Sequence, residues 1–248
     1  MSWVPPMNLE ERLKARFVPP ALQRWYHVRR EYRRGERELH LVPWLADRQR
    51  VSVDAGANRG VWTEVLRRYS RRVCSFEPNP KMFAELRRCA RPEVTAFPFA
   101  LSDRSGTAEL LVQRNDRGYS NQVASLSAAR IGDGRFAAVQ VETRRLDELD
   151  LGAVGFIKVD VEGHELEVLD GARETLRRDR PTLVVEIEER YHGRGIGELL
   201  GAICAFGYTA FCLQRGRLRP VRDLDLAACH SRPASRADYV FNWIFLPA

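Results

Sequence analysis

The chain is poor in lysine, in cysteine and in long apolar runs, and each shortage removes a class of protein. Its five cysteines, Cys74, Cys89, Cys204, Cys212 and Cys229, are odd in number and form no Cys-x-x-Cys pair. That argues against a disulfide framework and against a zinc site, and it fits a reducing compartment. No segment approaches the roughly 18 uninterrupted apolar residues of a membrane-crossing helix. Residues 1–12 carry prolines and charges where a secretory signal has an apolar run. A cytoplasmic protein with no membrane span is therefore expected. Lysine occurs only at Lys14, Lys81 and Lys158, so arginine carries nearly all of the positive charge. The net charge of +7 would suit an anionic partner if the excess were clustered. No basic run alternates with aromatics as a stacking platform for nucleic acid requires, so the charge reads as a dispersed, solvated surface.

What remains is an ordinary globular composition, with 44% hydrophobic and 29% charged residues over 248 positions. Residues 1–49 read as a helical lead-in, with Trp25, Tyr26 and Trp44 as its anchors and no visible chemistry. From residue 50 short apolar runs alternate with helical stretches, the pattern of repeated strand–helix units in an α/β fold with a parallel sheet. Residues 50–248 are taken as one domain. Strands are expected at 51–54, 73–77, 94–97, 155–159, 183–187, 209–213 and 239–246, with a last helix at 196–206. Two further strands, at 106–112 and 138–143, flank a polar stretch at 113–136 that reads as a lid or a disordered insert.

The first strand ends in Asp54-Ala55-Gly56-Ala57-Asn58-Arg59-Gly60 and runs into a helix, a tight turn that lets a ligand approach backbone N–H groups. The second strand ends in Glu77, 23 positions after Asp54, near the spacing expected of an acid that accepts from ribose hydroxyls. Asn58 stands where a pyrophosphate fingerprint prefers glycine, which favours a nucleoside cofactor without phosphates; S-adenosylmethionine fits. Ser102 and Asp103, beyond the third strand, supply either an adenine contact or a polar turn. Four ionisable groups crowd Asp160-Val161-Glu162-Gly163-His164-Glu165 at the end of the fourth core strand, where open α/β sheets bind ligands. Glu162 and Glu165 at a helix start also suit the helix dipole alone. Asp160 is harder to dismiss, because a carboxylate ending an apolar strand needs a cation or donors to meet it.

These segments together resemble the FkbM family of S-adenosylmethionine-dependent methyltransferases. The matching residues are Val53-Asp54-Ala55-Gly56-Ala57-Asn58-Arg59-Gly60, Phe76-Glu77-Pro78-Asn79-Pro80, Ala100-Leu101-Ser102-Asp103, Leu146-Asp147-Glu148-Leu149 and Ile157-Lys158-Val159-Asp160-Val161-Glu162-Gly163-His164-Glu165. Val184-Val185-Glu186-Ile187 and Phe241-Asn242-Trp243-Ile244-Phe245-Leu246-Pro247 match as well. The resemblance implies a Rossmann-like class I methyltransferase fold, α/β, with a seven-stranded, mostly parallel sheet, helices on both faces and an antiparallel last strand. It carries cofactor contacts to Asp54, Gly56, Ala57, Asn58 and Gly60, to Glu77 at the ribose, and to Leu101, Ser102 and Asp103 around adenine. It also implies a hydroxyl acceptor on a sugar or natural-product scaffold, a small molecule or glycan that residues 113–137 do not identify.

Methyl transfer is an in-line displacement in which the protein aligns atoms and a base takes the hydroxyl proton. His164 is the leading base because its ordinary pKa lies near neutrality, with Glu162 second and Asp160 orienting the cofactor's methionine end or the acceptor. A minority version has Asp160 and Glu186 hold Mg²⁺. Two rival readings remain. One is a nicotinamide-dependent oxidoreductase using the same loop and Glu77. The other is a non-catalytic module binding RNA or an anionic glycan through Arg114, Arg117, Arg130 and Arg135.

Overall fold

The computed structural model describes residues 3–88, 91–115, 118–126, 135–235 and 238–248. Two helices lead the chain, α1 (Leu9–Phe17) and α2 (Pro20–Arg34), followed by a 3-10 turn (Arg37–Leu41) and the short α3 (Val42–Leu45). Asn8 opens α1 with a capping box, its side chain accepting from the Glu11 N–H while Glu11 reaches back to the Asn8 N–H. The strand–helix alternation then runs β1 (Val51–Ala55), α4 (Val61–Leu66), β2 (Arg72–Phe76), α5 (Pro80–Arg87), β3 (Val94–Phe97) and β4 (Ala100–Leu101). Strands β5 (Gly106–Asn115), β6 (Gly118–Ser125) and β7 (Arg135–Arg144) come next. The alternation resumes with β8 (Val154–Val159), α6 (Glu165–Asp170), α7 (Arg173–Asp179), β9 (Thr182–Glu186), α8 (Ile196–Cys204), β10 (Tyr208–Gln214), β11 (Arg217–Pro220) and β12 (Asn242–Pro247).

The main sheet has the order β11-β10-β12-β9-β8-β1-β2-β3. Strands β3, β2, β1, β8 and β9 pair in parallel, while β12 is antiparallel to both β9 and β10. The sheet has eight strands rather than seven, because β11 folds back on β10 through the Arg215-Gly216 turn, where both residues take positive φ. The final strand also starts at Asn242, three residues later than its apolar run suggested.

Side chains alternate between two cores, as the strand period requires. Ile157, Leu183, Val185, Trp243 and Phe245 face one core with α6, α7 and α8. Phe156, Val184 and Ile244 face the other, which α4 shares with Val28, Leu39 and Val42 of the leading segment. The leading segment is thus fastened by aliphatic side chains. Trp25, Tyr26 and Trp44, the expected anchors, are instead exposed, Trp44 to 79%. The helical period explains it: Arg24 and Val28 hold the inner face of α2, which turns Trp25 and Tyr26 outward.

The polar stretch is not a disordered insert where it is described. Strand β5 runs on to Asn115, and β5, β6 and β7 form with β4 a second, four-stranded sheet around Leu110, Val112, Val139 and Val141. Arg117 and Arg130, invoked for the nucleic-acid reading, lie outside the described residues.

Candidate functional site

A crevice of about 380 Å³ opens at the carboxyl ends of β1, β2, β8 and β9, the usual binding position in a doubly wound sheet. Asp54, Gly56, Ala57, Asn58, Glu77, Leu101, Asp160, Glu162, His164 and Glu186 all line it. Gly60, Ser102 and Asp103 do not. Gly60 lies beneath the loop against Leu86 and Arg24, whose guanidinium donates to the Gly60 and Leu86 carbonyls at 3.5 and 3.2 Å. Ser102 is buried and turned toward Asp103 and His164.

The loop after β1 is glycine-bearing for a reason internal to the protein. The Gly56 and Ala57 N–H groups both donate to the Phe76 carbonyl at 3.0 Å. Gly56 has φ +82°, and a Cβ there would stand 1.9 Å from the Asp160 carbonyl oxygen. The missing side chain lets two strand ends meet. Glu77 lines the crevice, its Oε2 accepting from the Asn58 N–H at 2.7 Å and its Oε1 from the Asn79 N–H at 2.8 Å. Burial, opposed by these two bonds and reinforced by Asp54 and Asp160, pushes its carboxyl up to about 7. Beside it, burial raises Asp54 to about 6, although Thr63 Oγ1 donates to Asp54 Oδ2 at 2.5 Å.

The other end of the crevice is organised around Lys158, which is wholly buried. Its Nζ donates to Asn242 Oδ1 at 3.2 Å, lies 3.7 Å from Asp160 Oδ2 and 4.0 Å from Glu36 Oε2, and stands 5.3 Å from the Trp62 ring centroid. Burial alone would lower its proton affinity, but Asp160, Glu36, Glu186 and Asp54 together hold it above the ordinary lysine value. Glu36 Oε2 also accepts from Trp62 Nε1 at 2.8 Å and from Asn242 Nδ2 at 2.9 Å. Burial raises both Glu36 and Glu186, the latter with help from Asp160.

Here the sequence reading missed residues. The leading segment, thought free of chemistry, sends His27, Arg30, Glu31 and Glu36 into the crevice wall. Lys158 and Asn242 did leave a signal, since each is a polar residue inside an otherwise apolar strand. Glu36 left none in its charge-rich surroundings. The proposed Mg²⁺ pair fits poorly: the Lys158 ammonium already supplies the positive charge beside Asp160 and Glu186. Among the described residues no three His, Cys, Asp or Glu side chains gather as metal ligands.

His164 sits apart from this cluster. Ser102 Oγ lies 3.0 Å from Asp103 Oδ1 and 2.9 Å from His164 Nε2, the roles in the second contact following the tautomer of the imidazole. Nδ1 faces Glu167 Oε2 at 3.7 Å. Burial lowers the imidazole's proton affinity, against the pull of Glu167, Glu165 and Asp103. Glu162, at φ +52°, receives Ser125 Oγ on its carbonyl at 2.6 Å, tying the turn after β8 to the second sheet.

A strand order that reverses between β1 and β8, an antiparallel β12, and an acid at the end of β2 define the class I methyltransferase architecture. The model of the FkbM methyltransferase domain matches residues 54–210, and the chain belongs to that family. It is 30% identical over 161 residues to the 2-O-methyltransferase NoeI of Sinorhizobium fredii, a match covering 56% of this chain and 64% of that protein. The crystal structure of an FkbM methyltransferase from Methylobacillus flagellatus superposes with a TM-score of 0.51 at 16% identity, over 80% of this chain and 44% of that one. The chain therefore spans less than two thirds of either relative. No described helix is long and apolar enough to cross a membrane.

Proposed function

We propose that the protein transfers a methyl group from S-adenosylmethionine to a hydroxyl of a sugar or natural-product scaffold. The observation that carries this reading is the crevice itself, with a buried carboxylate at the β2 end and an acid cluster around Lys158 at the other. Glu77 keeps lone pairs for a ribose diol beyond its two backbone bonds. Asp54 and Glu162 make the wall suitable for the cationic sulfonium and ammonium of the donor. Leu101 offers an apolar surface for adenine, and the volume of about 380 Å³ suits a nucleoside of this size. When bound, S-adenosylmethionine supplies a methyl already activated for displacement, so the chain's own tasks are alignment and proton removal.

Glu36 is the base in this reading. Its Oε2 is fixed by Trp62 and Asn242, the side chain faces the crevice, and burial gives the carboxylate a greater appetite for a proton. Asp160 and Glu186 receive and orient the acceptor. His164, hydrogen-bonded to Ser102, positions the β4 end against the turn after β8. The 2-O-methyltransferase among its relatives supports an oxygen acceptor. Calorimetric titration with S-adenosylmethionine and with NAD, followed by label transfer from the methyl donor to a panel of methyl glycosides, tests the assignment. Preference for NAD, or no heat with either, overturns it.

A further inference from the structure

Ten large apolar side chains are exposed among the described residues, and nine of them fall between Trp3 and Trp44. They are ordered by helical geometry. On α1, which buries no residue at all, Leu9, Leu13 and Phe17 recur every fourth position and share one face. On α2, Leu22, Trp25 and Tyr26 form a stripe that continues into Arg29 and Arg33. Helix α2 thus buries Arg24 and exposes Trp25, an inversion of the usual partition of these residue types. The same segment concentrates charge. Residues 1–50 hold eleven Arg or Lys against six Asp or Glu, five of the chain's seven net positive charges. The dispersed surface expected from composition is therefore lopsided.

We propose that this face of α1 and α2 docks the protein on an anionic lipid bilayer. Tryptophan, tyrosine, phenylalanine and leucine beside arginines are the side chains that settle at the boundary of acyl chains and headgroups, apolar bodies inward and guanidinium groups toward phosphate. The arginines already lie beside the rings they would accompany: Arg16 stands 5.8 Å from the Phe17 centroid, and Arg29 stands 5.3 Å from that of Trp25. Charge chooses between candidate partners. A second copy would bring two strongly positive faces together, which costs association, whereas an anionic membrane attracts each basic residue near its surface. Helix α2 also lines the crevice through His27, Arg30 and Glu31, so docking holds the crevice mouth beside the surface. The inference is independent of which group the crevice transfers.

Flotation of the full chain with vesicles tests it. The wild type is expected to float with phosphatidylcholine vesicles carrying about 30% phosphatidylglycerol, not with phosphatidylcholine alone, and to be released by salt. The combined variant Leu13→Ser, Phe17→Ser, Trp25→Ser should lose about tenfold or more of the bound fraction. It should keep its melting temperature and its heat of S-adenosylmethionine binding, which separates loss of docking from loss of fold or crevice. Three results would overturn the proposal: a wild type that stays unbound at low salt, a variant that floats as well as the wild type, or sedimentation showing a dimer that the substitutions dissolve without any vesicle binding.

Discussion

At one end of the crevice Glu77 takes both of its partners from backbone N–H groups of the flanking loops, at Asn58 and Asn79. At the other, Lys158 gathers the side chains of Glu36 and Asn242 from distant segments and that of Asp160 from its own strand end, with the neighbouring Val159 carbonyl as its one backbone acceptor. The first end is fixed by the path of the chain, the second by balance of charge. Each should therefore fail in its own way. Gly56→Ala attacks the path: its Cβ would meet a backbone oxygen at 1.9 Å and the residue would be held at φ +82°. Backbone cannot swing aside as a flexible side chain can, so a loss of more than about 4 kcal/mol is expected in urea denaturation, together with loss of donor binding. A variant as stable as the wild type would mean that the strand ends are not so closely apposed.

Lys158→Met attacks the balance instead. It keeps the volume and removes the ammonium, leaving buried carboxylates without their cation, and about 3–5 kcal/mol of stability should go with it. Combining it with Glu36→Gln should recover part of that loss, because one of the stranded charges is then gone. Purely additive losses would sever the proposed link between these two residues.

The same contrast explains what could be read in advance. The β1 loop, Glu77 and the acidic turn after β8 were legible because each is a short local string ending an apolar strand. The parallel order and the antiparallel β12 followed from the alternation and from the family resemblance. The Lys158 cluster was not legible, since no spacing links residues 36, 158 and 242; only folding does. Reading tryptophans as anchors failed for a related reason. Hydrophobicity says that a side chain gains by burial, but the phase of α2, set by Val28 and Arg24 against α4 and the β1 loop, decided which side chains were buried. The glycines of the loop were found for an incomplete reason, since Gly56 serves the approach of β8 and Gly60 the packing of Arg24 and Leu86.

The pH dependence offers a finer test of the Glu77 end. Its carboxyl is raised from an ordinary 4.5 to about 7, so the folded protein holds that proton more tightly than the unfolded chain. The stability that comes from it is present at acid pH and is lost as pH rises from about 4.5 through about 7, on the order of 3 kcal/mol in total. Asp54, raised to about 6, acts in the same direction. Donor affinity should move oppositely, because the ionised carboxylate is the better acceptor for ribose hydroxyls. Glu77→Gln should flatten both slopes. If the stability of the wild type instead climbed across this range relative to Glu77→Gln, the carboxyl would not be buried as described. At the Lys158 end, Glu36→Gln keeps an oxygen for Trp62 and Asn242 while removing the base, so kcat should fall by about 100-fold with donor affinity unchanged.

The mildest of these changes is His164→Ala, and it separates the two ends most cleanly. With Nε2 in contact with Ser102 and Nδ1 turned toward Glu167, both nitrogens have their partners outside the acid cluster. Substitution should therefore loosen the β4 end, raising KM for the donor by less than about tenfold while leaving the pH at which turnover switches on unchanged. A base would behave otherwise: kcat would collapse and the limb of the profile belonging to that base would vanish, while donor affinity held. If His164→Ala gave that second pattern and Glu36→Gln gave the first, proton removal would belong to the turn after β8, and the Lys158 cluster would be left with holding the leading segment against the sheet.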